Sequence, residues 1–417
     1  MRQLIERPRQ LERLLAFRDT DLVKVVTGIR RCGKSSLLEL ARQAIEAEGV
    51  EDRGFLSVNL EDLECGVNTA DDLYALCKGA MMPQGRTYLF IDEVQRIEGW
   101  HNVVNSLRVH FDCDIYLTGS NAFLLSGELS TYLSGRYVEV HLLPLSFEEY
   151  ATFCRLRPNS TGSLMLPESG DPVLADDLLD RYLAFGGMPA LASLATTQAQ
   201  HGAYMASLVD SIIVRDIMSR ERNASERRLA SEDLLRSICT FLADNIGNRT
   251  SANKIAGATG TTDKTAGSYV RALDDAYIFY PVARYDLHGK EILKTLPKQY
   301  IADLGVRAYL LGYRPADKGR ALENAVYLQL IADGWSVHVG TLYGKEVDFV
   351  CVRDGVIRYV QVTEDMTSPA TMERELAPYK TLNDNHEKIV VVRTGNYPAD
   401  INGVRIVMAR KFLLKHH

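Results

Sequence analysis

Nine consecutive residues constrain this 417-residue chain more than anything else in it: Gly28-Ile29-Arg30-Arg31-Cys32-Gly33-Lys34-Ser35-Ser36. They fit the pattern G-x-x-x-x-G-K-[S/T], in which glycines let the backbone curl tightly and a helix follows at once. Such a loop aims several unshielded N–H groups at one point, reinforced by the positive end of the helix dipole. A cluster of phosphate oxygens satisfies that many donors. Lys34 adds a point charge for the β and γ phosphates, and the Ser35 hydroxyl adds a ligand for Mg²⁺. The flanks agree. Leu22 to Thr27 reads as a strand, and Leu37, Leu38, Ala41, Ala44 and Ile45 recur at helical spacing until Gly49 offers a stop. All nine residues are therefore expected to line a nucleoside-triphosphate site in an α/β core.

A second segment, Thr87-Tyr88-Leu89-Phe90-Ile91-Asp92-Glu93, is an apolar strand ending in two acids. A magnesium nucleotide site needs that arrangement. Asp92 is expected to hold the Mg²⁺ shell, and Glu93 to orient and polarise the attacking water, which turns binding into hydrolysis. A third apolar strand, Asp114 to Thr118, ends in Gly119-Ser120-Asn121 instead. Ser120 or Asn121 is placed to reach the γ phosphate or its water, or else forms a plain turn with an Asx cap. Arg136, just before a fifth strand, reads as a finger offered to a neighbouring subunit's nucleotide or as an ordinary salt-bridge arginine. Arg215 stands open in the same way, between a nucleotide contact and a pair with Asp216.

Composition narrows the class. Acids outnumber Lys and Arg by 54 to 48, a net charge of −6, so a general polyanion binder is excluded and any nucleic-acid contact must be local. The seven cysteines form no C-x-x-C pair, which predicts reduced thiols and neither a disulfide framework nor a zinc site. No apolar run reaches the roughly 18 residues of a membrane span, and the charged N-terminus lacks a signal-peptide core. The expectation is a soluble, cytoplasmic protein without a membrane partner.

Four regions follow from the pattern. Residues 1–150 alternate strands (22–27, 55–59, 87–91, 114–118, 137–142) with helices, which predicts a parallel sheet. Residues 151–230 read as a helical lid, with an exposed Ser/Gly/Pro-rich loop at 159–171 and a polar boundary at 221–232. Residues 231–300 read as three short helices and a hairpin, the layout of a winged helix-turn-helix. Residues 301–417 read as a last helix–strand–strand–strand–helix–strand series.

Together G-I-R-R-C-G-K-S-S, F-I-D-E-V-Q, L-T-G-S-N-A, S-G-R-Y-V-E-V-x-L-x-P-L-S-F-E-E-Y and Y-L-x-F-G-G-M-P make the chain resemble a prokaryotic AAA-type ATPase family over nearly its whole length. The resemblance implies an AAA+ P-loop core, a helical lid, a winged helix and a C-terminal nuclease-like domain. It implies ATP and Mg²⁺ as cofactors and a homo-oligomer with Arg136 acting in trans. It also implies hydrolysis coupled to movement of the attached domains, on DNA or on a protein partner. The DNA expectation is tempered by charge. Residues 234–300 carry nine Lys/Arg against six Asp/Glu, and the third helix of that region is net acidic.

The last region resembles the PD-(D/E)xK nuclease superfamily, a restriction-endonuclease-like α/β fold. Glu323 lies on an early helix, Asp348 on a strand, and Gln361 and Thr363 on the next. The superfamily's pattern asks for an acid where Gln361 stands and a lysine where Thr363 stands, so the fold is expected to be kept and the nuclease chemistry lost. Two alternatives accompany the ATPase reading: a metal-dependent nuclease regulated by ATP, and a nucleotide-switched protein-binding module.

Overall fold

The computed structural model describes residues 4–119, 133, 135–168, 170–192, 197–218, 231–289, 291–314, 317–342, 345–382 and 384–415. The chain divides into two compact units. One comprises Met1–Leu142 with Asp275–Tyr277, the other Leu143–Asp274 with Ile278–His417.

The first unit is built on β1 (Val23–Thr27), β2 (Phe55–Asn59), β3 (Thr87–Asp92), β4 (Cys113–Thr118) and β5 (Tyr137–His141). Among the described residues they form one sheet in the order β2-β3-β4-β1-β5, and every neighbouring pair is parallel. All residues of β1 and β3 are buried, which suits strands covered on both faces and explains their largely apolar sequence, interrupted in β1 by Lys24. The strands expected from sequence lie within a residue or so of those observed. One apolar layer gathers Val23, Val25, Leu89, Ile91, Ile115 and Leu117 under the helix Trp100–His110, which contributes Trp100, Val104 and Leu107. Since β4 lies between β1 and β3, the glycine-rich loop and the two acids emerge at the same edge, one strand apart.

Far from that edge, at the start of β1 and β4, Lys24 and Asp114 form an ion pair with no solvent exposure. Tyr116 donates to the same carboxylate at 3.0 Å, and the Asp19 N–H donates to it at 3.0 Å. A buried pair of this kind fixes strand register more than it adds net stability.

The second unit holds a three-stranded meander, β6 (Leu156–Pro158), β7 (Leu164–Pro167) and β8 (Val173–Leu174), and an eight-stranded mixed sheet. The larger sheet comprises β9 (Phe279–Asp286), β10 (Glu291–Ile301), β11 (Ser336–Leu342), β12 (Lys345–Arg353), β13 (Val356–Thr363), β14 (Glu387–Val392), β15 (Asp400–Ile401) and β16 (Val404–Met408). Their order is β10-β9-β11-β12-β13-β14-β16-β15.

Two expectations are corrected here. The stretch 159–171 is not a plain loop. Asn159 accepts the N–H groups of Ser163 and Leu164 at 3.1 and 3.2 Å, closing a turn into β7, where Met165 is fully buried. The hairpin after the three helices (Glu232–Asp244, Ala252–Thr259, Asp263–Asp275) is not a free-standing wing. β9 pairs in parallel with β11, so the hairpin forms the edge of the large sheet and the strand ladder crosses residue 300. Buried Phe279 and Val282 on β9 give the reason, because an apolar strand needs cover that an isolated hairpin lacks. The polar boundary expected at 221–232 lies mostly outside the described residues.

The motif F-G-G-M-P has a physical cause in this unit. Asp303 accepts the N–H groups of Gly187, Gly305 and Val306 at 2.7, 2.8 and 3.2 Å, capping the helix Leu304–Leu311. A Cβ on Gly187 would lie 2.3 Å from the Leu145 carbonyl oxygen. Burial pushes the Asp303 carboxyl up to about 6, against the three N–H donors that favour its charge.

Candidate active site

The loop between β1 and the helix Lys34–Ala47 takes the shape its glycines permit. Gly28 has φ +138°, and a Cβ there would sit 2.1 Å from the Leu142 carbonyl oxygen. Gly33, at φ 106°, caps the helix without a side chain, so the first-turn N–H groups stay open to an anion. Arg31 also takes a positive φ of 64°. Ser35 and Ser36 are exposed on that first turn. From below, Arg7 is buried and donates to the Cys32 carbonyl oxygen at 3.1 Å. Burial pushes the Cys32 thiol up, away from reactivity. Arg30 reaches Glu61 at 3.0 Å.

Lys34 is buried and turned back onto its own loop, donating to the carbonyl oxygens of Gly28 at 3.0 Å and Ile29 at 3.2 Å. Among the described residues it makes no ion pair. Its ammonium is thus hydrogen-bonded to backbone dipoles and not closed onto a carboxylate among the described residues, which leaves it available to an incoming anion.

Across β4, the Thr118 hydroxyl donates to Asp92 Oδ1 and accepts the backbone N–H of Glu93 at 2.9 Å. This single side chain ties the two acids to the neighbouring strand. Glu93 lies in the left-handed region at φ 57°, ψ 45°, an uncommon conformation for a residue with a Cβ. The turn swings its carboxylate out of the strand direction, and Gln95 donates to it. Burial raises the Glu93 carboxyl above the usual carboxylate range; Lys34 opposes the shift and the Asp92 charge adds to it. A carboxylate with raised proton affinity, anchored by its own N–H, suits a group that polarises water.

On the other side of the loop Thr27 donates to Glu139 and lies 3.0 Å from His141 Nδ1. The hydroxyl has one proton, so with Glu139 accepting it, His141 Nδ1–H is the donor to Thr27. Burial, with Lys34 second, holds His141 down at about 4, a neutral imidazole at physiological pH.

The structure therefore brings Gly28–Ser36, Asp92 and Glu93 to one sheet edge. Ser120 and Asn121 lie outside the described residues, as does the Arg215 side chain. Arg136 is exposed at the start of β5 and makes no ion pair among the described residues, while its carbonyl accepts the Val23 N–H at 2.9 Å. Sequence reasoning missed Thr118, Arg7 and His141. Only Thr118 had a signal, as the polar residue closing an apolar strand that pairs with the acidic one.

In the second unit Glu323 on the helix Lys318–Ala332, Asp348 on β12 and Gln361 on β13 lie near one another. Tyr300 donates to Glu323 at 2.6 Å, the Val362 N–H to Asp348 at 2.8 Å, and the Asp348 N–H to Gln361 at 3.2 Å. Thr363 turns away and donates to the Asp365 carbonyl oxygen at 3.1 Å. Among the described residues no group of three His, Cys, Asp or Glu side chains is arranged to hold a metal ion, and no helix is long and apolar enough to cross a membrane.

Residues 20–151 match the model of an AAA domain, and residues 176–317 that of a domain of unknown function. An uncharacterized protein of Haemophilus influenzae is 35% identical over 421 residues, covering 99% of both chains. The uncharacterized protein MJ1544 of Methanocaldococcus jannaschii is 29% identical over 368 residues, covering 86% of this chain and 78% of that one. Among solved structures, Thermotoga maritima RuvB, a Holliday junction branch migration motor, aligns at 14% identity with a TM-score of 0.32, covering 67% of this chain and 90% of that chain. The Aeropyrum pernix ORC1 protein in complex with DNA aligns at 13% identity with a TM-score of 0.29, covering 74% and 92%.

Proposed function

Because this chain belongs to one family with the Haemophilus influenzae protein and carries an AAA domain over residues 20–151, we propose that it is a Mg²⁺-dependent ATPase. One observation carries the reading: Asp92 and Glu93 hang from Thr118 at the sheet edge where the Gly28–Ser36 loop also opens. The donor set fits a nucleotide and its metal. Open N–H groups and the Lys34 ammonium would hold the phosphates, with Cys32 and its neighbours contributing backbone alone. Ser35 and Asp92 would hold Mg²⁺, which would neutralise charge on the phosphate oxygens. Glu93, its N–H fixed by Thr118, orients the attacking water and draws on its proton. Glu93→Gln should keep ATP binding and lose turnover; undiminished hydrolysis overturns the assignment.

The finer parts of the reading rest on this site. Arg136, exposed and without an ion pair among the described residues, is the candidate finger toward a neighbouring copy's γ phosphate in a homo-oligomer. In mixing experiments, an inactive Arg136→Ala protomer should regain turnover from a Lys34→Ala partner, whose own site is dead but whose Arg136 is intact; no gain on mixing overturns the trans role. The three helices and hairpin of residues 231–300 are read as a winged-helix variant whose position follows the nucleotide cycle. Exposed Lys254, Lys264 and Arg271 are its candidate DNA contacts. Three such contacts give a salt slope of about −3, and binding independent of salt would remove DNA from the reading. Residues 301–417 are read as a nuclease-like domain without nuclease activity. The seven cysteines, all free, accord with a cytoplasmic setting.

A further inference from the structure

The resemblance of the C-terminal region to metal-dependent nucleases implies a divalent cation at Glu323, Asp348 and Gln361. The residues present do not fit one. A small divalent cation needs several oxygens free to approach at about 2.0–2.4 Å, with negative charge left over to hold it. Here several of those oxygens are committed elsewhere. Lys298 enters from β10 with its side chain 5% exposed, and its Nζ lies 2.6 Å from Glu346 Oε1 and 3.4 Å from Glu323 Oε1. The other Glu346 oxygen accepts Arg249 at 2.7 Å, and Tyr300 donates to the same Glu323 oxygen. Gln361 donates to Glu375 at 3.0 Å, and Glu375 also pairs with Arg374 at 2.6 Å.

Lys298 sits between Glu323 and Glu346, Arg249 pairs with Glu346, and Arg374 with Glu375. Each of these acids already faces a cation, which opposes the approach of a dication.

We infer that the Lys298 ammonium, supplied by β10, takes the place of the catalytic metal in this domain and makes it a cation-independent fold. The bulged pairing of β10 with β9 and the bridge from Arg249 to Lys298 deliver these two cations from outside the helix-and-strand segment that carries the acids. This inference is independent of the nucleotide site.

The test is a Mn²⁺ titration of the full chain without nucleotide, read by the loss of the free Mn²⁺ electron-spin-resonance signal. The wild-type chain should show no site that Asp348→Asn removes. Lys298→Met, similar in shape but uncharged, should gain one Mn²⁺ per chain at least ten-fold tighter than wild type, and adding Asp348→Asn should abolish it. A wild-type site lost in Asp348→Asn overturns the inference, as does a folded Lys298→Met chain that gains nothing. Should Lys298→Met fail to fold, the triple variant Lys298→Met/Glu323→Gln/Glu346→Gln decides. Recovery of its thermal midpoint supports charge replacement, and a midpoint no better than that of the single variant rules it out.

Discussion

Two of the places where this molecule buries a lysine near carboxylates end in opposite states. At the Gly28–Ser36 loop, Lys34 rests on two carbonyl oxygens while Asp92 and Glu93 are held by Thr118 and Gln95, so cation and acids stay apart. Beside β10, Lys298 closes directly onto Glu346 and Glu323, and Arg249 completes the set. A charge hydrogen-bonded to backbone dipoles and not closed onto a carboxylate is ready for a ligand of the opposite sign, whereas one already matched by an ion pair is part of the scaffold. Availability of the charges, more than the kinds of residue present, separates a reactive centre from a structural one.

The largest effect that sharpens this contrast is kinetic. Glu93→Gln should lower ATP turnover by roughly 10²–10⁴-fold while nucleotide still binds, measured by phosphate release beside a fluorescent-nucleotide titration. Lys34→Ala should lose nucleotide affinity by about 3 kcal/mol with the thermal midpoint nearly unmoved. Lys298→Met should do the reverse. Removing one partner of a buried ion pair costs about 3–5 kcal/mol, so the second unit should lose stability while ATP affinity holds. If both lysine variants shift affinity and stability alike, the contrast is wrong.

A pH series tests the second unit from another side. Asp303 is held at about 6, above its unfolded value near 3.8. Such a group stabilises the fold fully below the unfolded value, and that contribution is lost as pH rises through about 6, up to about 3 kcal/mol. Amide exchange at Gly187 and Gly305, corrected for intrinsic rates, should show protection falling from pH 4 to 7, and Asp303→Asn should flatten the trend. An identical slope in wild type and variant would discard Asp303 as its source. The smallest effect expected is Thr118→Val. Losing the hydroxyl removes one hydrogen bond from each acid, about 1–2 kcal/mol, and should slow turnover more than it weakens ATP binding. Equal loss in both would mean that Thr118 only supports the strand.

Much of the first unit was legible because its signals are contiguous. Strands buried on both faces read as largely apolar runs, and the glycine-rich loop, its helix and the Asp92-Glu93 pair each lie within one short segment. The bridge from Thr118 to Glu93 joins adjacent strands, a relation that spacing along the chain does not encode. In the second unit the Ser/Gly/Pro-rich stretch hid β7, because turn residues outnumber the few apolar positions that pair. The hairpin read as a wing because its own turn is local, while the β11 strand that covers it follows two helices later.

By itself, then, the sequence determined a glycine-rich loop, an acid pair and a parallel sheet, since backbone freedom at Gly28 and Gly33 and largely apolar strands are local properties. Tertiary structure alone decided which acids remain available. Lys298 and Glu346 are brought together by strand pairing across the large sheet, and neutralisation of charge depends on distance in space, not on position along the chain.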